Sequence, residues 1–323
     1  MPVATPDAGA AGVETPRCPI TGDRSPVLVQ RVSRRFLHLL WRGSHGVVPT
    51  PIARNGPAIG LWRSACGLMF FHPPIAGDNA FYHALYRKLG ACGSLSYDAG
   101  SRPEFVEAAK QVRPGDRVLD VGAGRGGLDT LLPPGAVWQG LDPHFGEEAA
   151  PNIARETLEE HAAQHPGAYD MVCAFQVLEH VEQPRRFAED MLRCLRPGGL
   201  LVLCVPLWPS PLTETPNLAI NAPPHHLSWW NPEALRALAG ALGLEVLRAD
   251  TLPPPRHAAP LFWLHRLLPR RTGGDRYFRH ALSWWAALIA AGLVTRPLLR
   301  WRGTPLPRGA RSIDAFLVAR KPG

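Results

Sequence analysis

The sequence predicts an α/β fold around a mostly parallel sheet, and two observations carry that expectation. From Arg117 onward, strand-like and helix-like segments alternate at the spacing of βαβ units. The first of these strands runs into "DVGAGRGGL", a loop with four glycines in six positions, of the kind that leads a strand into a helix.

The elements follow in order. "RVLDV" reads as a strand, "GLDTLL" opens a helix, and "AVWQGLD" is a second strand. "YDMVCAF" is a third clear strand, "PRRFAEDMLRCL" an amphipathic helix, and "GLLVLCVP" a buried strand. In "WNPEALRALAGALG", Asn231 suits an N-cap, Pro232 the first turn and Gly243 the stop, so a helix is expected there. "LEVLRA" is then a strand, and "SIDAFLVARK" is the last strand. No internal repeat is visible.

Bulk composition bounds the rest. A chain of 323 residues with 46% hydrophobic content can bury a real core, as one large domain with appendages or two modest ones. Six widely spaced cysteines fit free thiols in a reducing compartment better than a disulfide framework. The opening "MPVATPDAGAAGVETPR" has neither the basic start nor the apolar core of a signal peptide, so residues 1–16 are expected to be a disordered tail and the protein cytoplasmic. The net charge of +8 is uneven. Residues 256–311 hold eleven arginines against Asp275 alone, and the remainder is slightly acidic.

The glycine loop satisfies two patterns. Gly122, Gly124 and Gly127 fit the dinucleotide fingerprint, whereas Asp120, Gly122, Gly124 and Gly126 fit D-x-G-x-G-x-G. Two carboxylates decide between them. Asp120, at the strand end, would repel a pyrophosphate but suits a ligand with an ammonium group. Asp142 ends the next strand, where an acidic side chain accepts hydrogen bonds from both ribose hydroxyls. A cationic adenosine ligand without phosphates fits both, and S-adenosylmethionine is such a ligand.

"VLDVGAGRGGL", "GLDP", "YDMVCAFQVLEHV" and "LRPGGLLVLCVP" stand in the order found in class I S-adenosylmethionine-dependent methyltransferases, and the chain resembles that family over roughly residues 96–250 and the last strand. The "VLEHV" variant is similar to the branch with ubiquinone-pathway O-methyltransferases and sugar or glycan methyltransferases. The resemblance implies a doubly wound seven-stranded sheet of order 3-2-1-4-5-7-6, its final strand antiparallel. It also implies roles. Asp120 would lie near the methionine ammonium group, Gly122, Gly124 and Gly126 would line the cofactor, and Asp142 would hold the ribose. Thr157 and Leu158 would neighbour the adenine, and Phe175 and Gln176 would flank the methionyl part or the substrate.

Methyl transfer from a sulfonium is an in-line displacement, so alignment and water exclusion matter most, and a base is needed only if the acceptor must lose a proton. His180 in "VLEHV" is one candidate base, with Glu179 to orient it; bracing of the next helix is the alternative. "PPHHLSWWNPEAL" falls on the carboxyl edge of the sheet, so His225, His226, Trp229 and Trp230 are candidates for an acceptor wall or for a packed loop.

Two appendages flank this domain. Residues 17–95 contain "RCPITGD" and "LWRSACGLMFFHPP", which look like the knuckles of a zinc ribbon. Cys18 pairs with Thr21 and Cys66 with Arg63, so the four soft ligands are reduced to two, and a ribbon without metal is expected, held by the apolar run Leu68 to Phe71. Tyr82 or Tyr86, in the linker "GDNAFYHALYR", could help close the acceptor pocket. Residues 256–311 form a basic, tryptophan-rich insertion before the last strand, which occupies 312–323. Its uncharged run, Ala281 to Thr295, is shorter than the roughly 20 residues a membrane span needs. Arginines and tryptophans beside a short apolar helix describe a segment lying on an anionic membrane surface, and a helical lid is the other reading. Nucleic acid fits poorly against so much aliphatic surface.

These features predict a methyltransferase acting on a hydroxyl of a small-molecule, glycan or lipid-linked acceptor. A nicotinamide-dependent dehydrogenase and a non-catalytic membrane-docking protein of the same fold are the rivals.

Overall fold

A computed structural model describes residues 15–91, 99–144, 152–268, 276–300 and 305–323. Most of the expected tail, together with Cys92, Trp301, Arg302 and residues 269–275 of the insertion, lies outside them. The front of the chain gives β1 (Val27–Val32), α1 (Arg34–His45), β2 (Ile59–Arg63), β3 (Met69–His72) and α2 (Asn79–Ala91). After α3 (Pro103–Ala109) come β4 (Arg117–Val121), β5 (Val137–Leu141), β6 (Ile153–Ala154), α4 (Leu158–Gln164), β7 (Tyr169–Phe175), α5 (Pro184–Cys194) and β8 (Leu195–Pro206). The chain continues through α6 (Pro211–Glu214), β9 (Ser228–Trp229), α7 (Pro232–Ala241), β10 (Glu245–Thr251), α8 (Ala259–Leu267), α9 (Leu282–Arg300) and β11 (Asp314–Arg320).

Seven strands form the main sheet, in the order β6-β5-β4-β7-β8-β11-β10. The first five run parallel, and β11 is antiparallel to both its neighbours. This is the predicted order with the predicted reversal. Burial on both faces explains the unbroken apolar runs. Along β8, Leu201, Leu203 and Val205 enter one core, while Val202 and Cys204 enter the core on the other face. The first face is covered by α5, through Ala188, Met191 and Cys194, and by α7, through Leu235 and Leu238. Phe105 and Ala108 of α3 cover the second.

Local chemistry sets the element ends. The Asn231 side chain accepts from the Ala234 amide at 2.8 Å and starts α7, and Gly243 turns the chain at φ 69° beyond it. One expectation is corrected. "GLDTLL" makes only a short 3-10 turn, Leu128–Leu131. Gly127 opens it at φ 113°, and Pro133 and Pro134 follow at once and remove the amides that a longer helix would use.

The front unit is a four-stranded antiparallel sheet, β1-β2-β3-β9. Its edge strand comes from the segment after β8, so Met69 and Phe70 pair with Trp229 and Ser228. The unit therefore shares strands with the catalytic half across residue 95. Leu68, Met69, Phe70 and Phe71 are buried as expected. Cys18 and Cys66 stand side by side, Sγ to Sγ 3.9 Å, and Thr21 and Arg63 occupy the places where a four-thiolate set would need cysteine. Cys18, Cys66, Cys173, Cys194 and Cys204 are free thiols.

The insertion is tied to the front unit. The Tyr277 and Phe278 amides donate to Gln30 Oε1, and Phe278 packs near Phe36, Phe71 and Trp229. Among the described residues, no helix is long and apolar enough to cross a membrane.

Candidate functional site

The carboxyl ends of β4, β5 and β7 open onto a cavity of about 670 Å³, a size suited to a small ligand. Of the residues singled out in the sequence, Gly122, Asp142, Thr157, Leu158, Gln176 and His180 line it. Tyr82 and Tyr86 of α2 line it too, with Ala76 and Gly77 just before that helix. The front unit thus supplies part of the wall, and the Ala76 amide donates to Glu182 Oε1 at 2.9 Å where the two halves meet.

The glycine loop folds back on β5. The Gly122 and Ala123 amides donate to the Leu141 carbonyl at 2.7 and 3.0 Å. Gly122 has no substitute, because its φ is +74° and a Cβ there would sit 2.4 Å from Val177 Cγ2. Asp142 is held from two sides: Oδ2 accepts from the Gly124 amide and Oδ1 from the His144 amide, each at 3.0 Å. Its position on the wall beside the loop suits a ribose hydroxyl pair.

Thr157 is the N-cap of α4. Its hydroxyl accepts from the Glu160 amide and the Glu160 carboxylate answers it, a capping box that fixes the helix start beside the cavity. Leu158, the next residue, offers the apolar surface there. Gln176 follows β7 at φ 59°, outside the range most side chains adopt, and its amide Nε2 donates to Asp314 Oδ1 at 2.9 Å.

Other predicted residues are placed elsewhere. Asp120 is buried behind the loop and off the wall. Its Oδ2 has no hydrogen-bond partner, and burial, only partly offset by Arg102, pushes its carboxyl up to about 7. A buried acid of this kind fits the neighbourhood of a cationic ligand. Phe175 faces the opposite side of the sheet, where it meets Phe105 edge-on at 5.3 Å, because strand alternation gives the cavity to Gln176 instead. Gly124 and Gly126 shape the loop but do not line the cavity; a Cβ on Gly126 would reach 3.1 Å from the Trp138 ring.

His225 and His226 also lie off the wall, stacked on each other behind His180, with ring centroids 4.4 and 4.9 Å from it, one tilted and one edge-on. His180 Nδ1 is 2.7 Å from the His225 carbonyl oxygen, which fixes that nitrogen as the donor and leaves Nε2 3.5 Å from Glu179 Oε1. Burial holds His180 down to about 4 and raises Glu179 to about 8. Trp229 and Trp230 are core residues, their indole nitrogens donating to the Asn221 carbonyl and the Ser228 hydroxyl, so they form no acceptor wall. The sequence reading missed Glu182 and Arg186, which line the cavity just after "VLEHV". Charged residues directly following a strand-end motif are the signal that could have found them.

Residues 98–249 match the family model described as a methyltransferase domain. The ubiquinone biosynthesis O-methyltransferase of Cronobacter sakazakii is 40% identical over 97 residues, which cover 26% of this chain and 40% of that protein. The protein of the same name from Escherichia fergusonii is 37% identical over 97 residues, with the same shares covered. The chain thus spans about two fifths of the length of these curated relatives. Among solved structures, a SAM-dependent methyltransferase from Archaeoglobus fulgidus is similar at a TM-score of 0.44 and 18% identity, covering 69% of this chain and 92% of that one. Another from Mesorhizobium loti is similar at 0.39 and 15%, covering 69% and 100%.

Proposed function

We propose that this chain, whose residues 98–249 form a class I S-adenosylmethionine-dependent methyltransferase domain, methylates a hydroxyl group of a small-molecule acceptor. The observation that carries the reading is the meeting of Gly122, Asp142 and Gln176 on one cavity at the carboxyl edge of the sheet. The hydroxyl follows from the kind of relative the chain matches, whose printed name is an O-methyltransferase.

When bound, S-adenosylmethionine would supply an electrophilic methyl group, whose transfer to the acceptor oxygen breaks the carbon–sulfur bond and releases S-adenosylhomocysteine and the hydroxyl proton. The chain's own residues hold the reactants. Asp142 would take the ribose hydroxyls, Leu158 would border the adenine, and the Gly122 backbone would allow close approach. Asp120, behind the loop, would add negative charge toward the methionyl ammonium group. Tyr82 and Tyr86 close the acceptor side and keep water out. His180 is a positioning residue in that wall, since one nitrogen is engaged by the His225 carbonyl and the other faces Glu179.

Calorimetry with S-adenosylhomocysteine tests the reading. The intact protein should bind it, and Asp142→Ala should weaken binding tenfold or more. Binding of a nicotinamide dinucleotide in its place would overturn the assignment in favour of a dehydrogenase. A screen of hydroxyl compounds with methyl-labelled cofactor then identifies the acceptor class.

A second element of the reading concerns α9, which leaves Leu282, Ile289, Leu293 and Val294 exposed on a chain segment rich in arginine. That surface favours peripheral contact with anionic lipid on the cytoplasmic side, and an acceptor carrying an apolar chain would reach the site from there.

A further inference from the structure

Behind the acceptor wall four polar side chains converge, and three of them, Glu179, His225 and His226, have buried atoms without hydrogen-bond partners. Glu179 is fully buried, and neither of its carboxylate oxygens meets a hydrogen-bond donor. His225 and His226 are buried, and Nδ1 of each is equally without a partner. His180 Nε2 lies 3.5 Å and His226 Nε2 4.0 Å from Glu179 Oε1. One ring nitrogen from each of His180, His225 and His226 falls within 4.8 Å of the other two.

Buried polar groups are nearly always satisfied, so several orphaned atoms in one place ask for a missing partner. The chemistry of that partner is narrow. Three imidazole nitrogens gathered this closely form a donor set of the kind that ligates a metal. Among the described residues, Glu179 lies near His180 and His226 and has no Arg or Lys paired with it. A cation held by one nitrogen of each imidazole would supply the positive charge that the buried Glu179 carboxylate lacks.

We propose that His180, His225 and His226 bind a divalent first-row transition cation such as zinc, with the buried Glu179 carboxylate beside two of them. Nitrogen-rich donors with one carboxylate suit zinc, cobalt or iron(II) over magnesium or calcium, which take oxygen sets. Four-coordinate zinc with bonds of about 2.0–2.1 Å places its ligand atoms about 3.3 Å apart, so modest rotation of the rings closes the cluster. Ligation by three histidines, with Glu179 beside them, would lock His180 in the acceptor wall. The proposal stands apart from the identity of the acceptor and requires no step of methyl transfer.

The test uses the full chain, stripped with a chelator, reloaded with zinc or cobalt(II) and dialysed. Elemental analysis should find one metal per chain, and cobalt should show the visible absorption of a four-coordinate, nitrogen-ligated ion. His226→Ala and the volume-conserving Glu179→Gln should each weaken binding tenfold or more, while Cys18→Ala/Cys66→Ala should leave it unchanged. S-adenosylhomocysteine binding on the same samples reports the fold and separates this proposal from the methyltransferase reading. Retention of no metal by a protein that still binds S-adenosylhomocysteine overturns the site. Metal uptake indifferent to the histidine and glutamate variants, or cobalt–thiolate bands lost with the cysteines, overturns it as well.

Discussion

Gln176 and Asp314, separated by 138 residues, are joined by a hydrogen bond of 2.9 Å from the amide Nε2 to the carboxylate Oδ1. The contact ties the end of β7, where the backbone is strained at φ 59°, to the first residue of the last strand. The reversed strand therefore holds a cavity residue in place, which links the closing of the sheet to the shape of the site.

Asp314 should make stability fall with rising pH. Burial, reinforced by Glu104, raises its carboxyl to about 7, against the partial help of Gln176 and Arg102. The folded chain keeps a proton there that the unfolded chain has released, so the stabilisation is complete below the ordinary aspartate value and lost as pH rises through about 7. Asp314→Asn keeps an acceptor for Gln176 and removes the titration. Its melting temperature should decline less between about pH 5 and pH 8 than that of the parent. Asp314→Ala leaves the Gln176 amide only the weak Cys204 Sγ acceptor at 3.7 Å and should cost about 1–3 kcal/mol by denaturant unfolding. Equal pH slopes in the parent and the Asn variant would remove the account.

Asp120 should couple ligand binding to proton release. Its carboxyl stands at about 7 in the free protein because of burial. A ligand ammonium near the loop favours the ionised form, so binding lowers that value and expels a proton near neutrality. Affinity for S-adenosylhomocysteine should then rise with pH up to about 7 and level off above it. Calorimetry in buffers of different ionisation heat should detect the released proton, and Asp120→Asn should abolish it. Absence of release in the parent would show that Asp120 is electrically remote from the ligand.

Gly122→Ala should damage both fold and site. The added methyl meets Val177 Cγ2 at 2.4 Å, and the residue must hold φ +74°. Overpacking of this kind costs about 1–3 kcal/mol, and the left-handed backbone adds roughly 1–2 kcal/mol. Adding Val177→Ala should restore the packing share alone, so the double variant should be more stable than Gly122→Ala and less stable than the parent. A single variant as stable as the parent, with cofactor affinity intact, would mean the loop relaxes freely.

The sheet was legible wherever one physical rule governed a long segment. β4 and β7 match "RVLDV" and "YDMVCAF" residue for residue, because two-sided burial demands continuous apolar runs. Asn231 and Pro232 marked the start of α7 by backbone chemistry alone. Rules in competition misled: the helical pattern after Gly127 lost to Pro133 and Pro134, and Phe175 lost the cavity to Gln176 by the alternation of a strand. Long-range pairing left no local mark. The two residues of β9 show no strand pattern, yet they complete the front sheet. Likewise "LEH" and "HH" each suggest a histidine near an active site, but only the fold stacks them, with His180 Nδ1 bonded to a carbonyl 45 residues away.

The exposed stripe of α9 should govern attachment to lipid. Leu282, Ile289 and Leu293 recur at seven and four residues, which places them on one helix face, and they are 85%, 59% and 56% exposed. Trp284 and Ala291 point the other way and are buried, and the Arg279 guanidinium lies 4.6 Å from the Trp284 ring centroid. The helix is thus anchored by its inner face and leaves an aliphatic row outside, where water gives it no compensation. Insertion of two such side chains into a bilayer surface recovers about 1.5–3 kcal/mol each. Ile289→Glu with Leu293→Glu should therefore reduce co-sedimentation with phosphatidylglycerol vesicles at least tenfold and leave S-adenosylhomocysteine binding unchanged. Added salt should weaken the parent's attachment, since arginines supply the long-range attraction. A parent chain that ignores anionic vesicles at low salt, yet dimerises through this face in sedimentation equilibrium, would assign the stripe to a second copy instead.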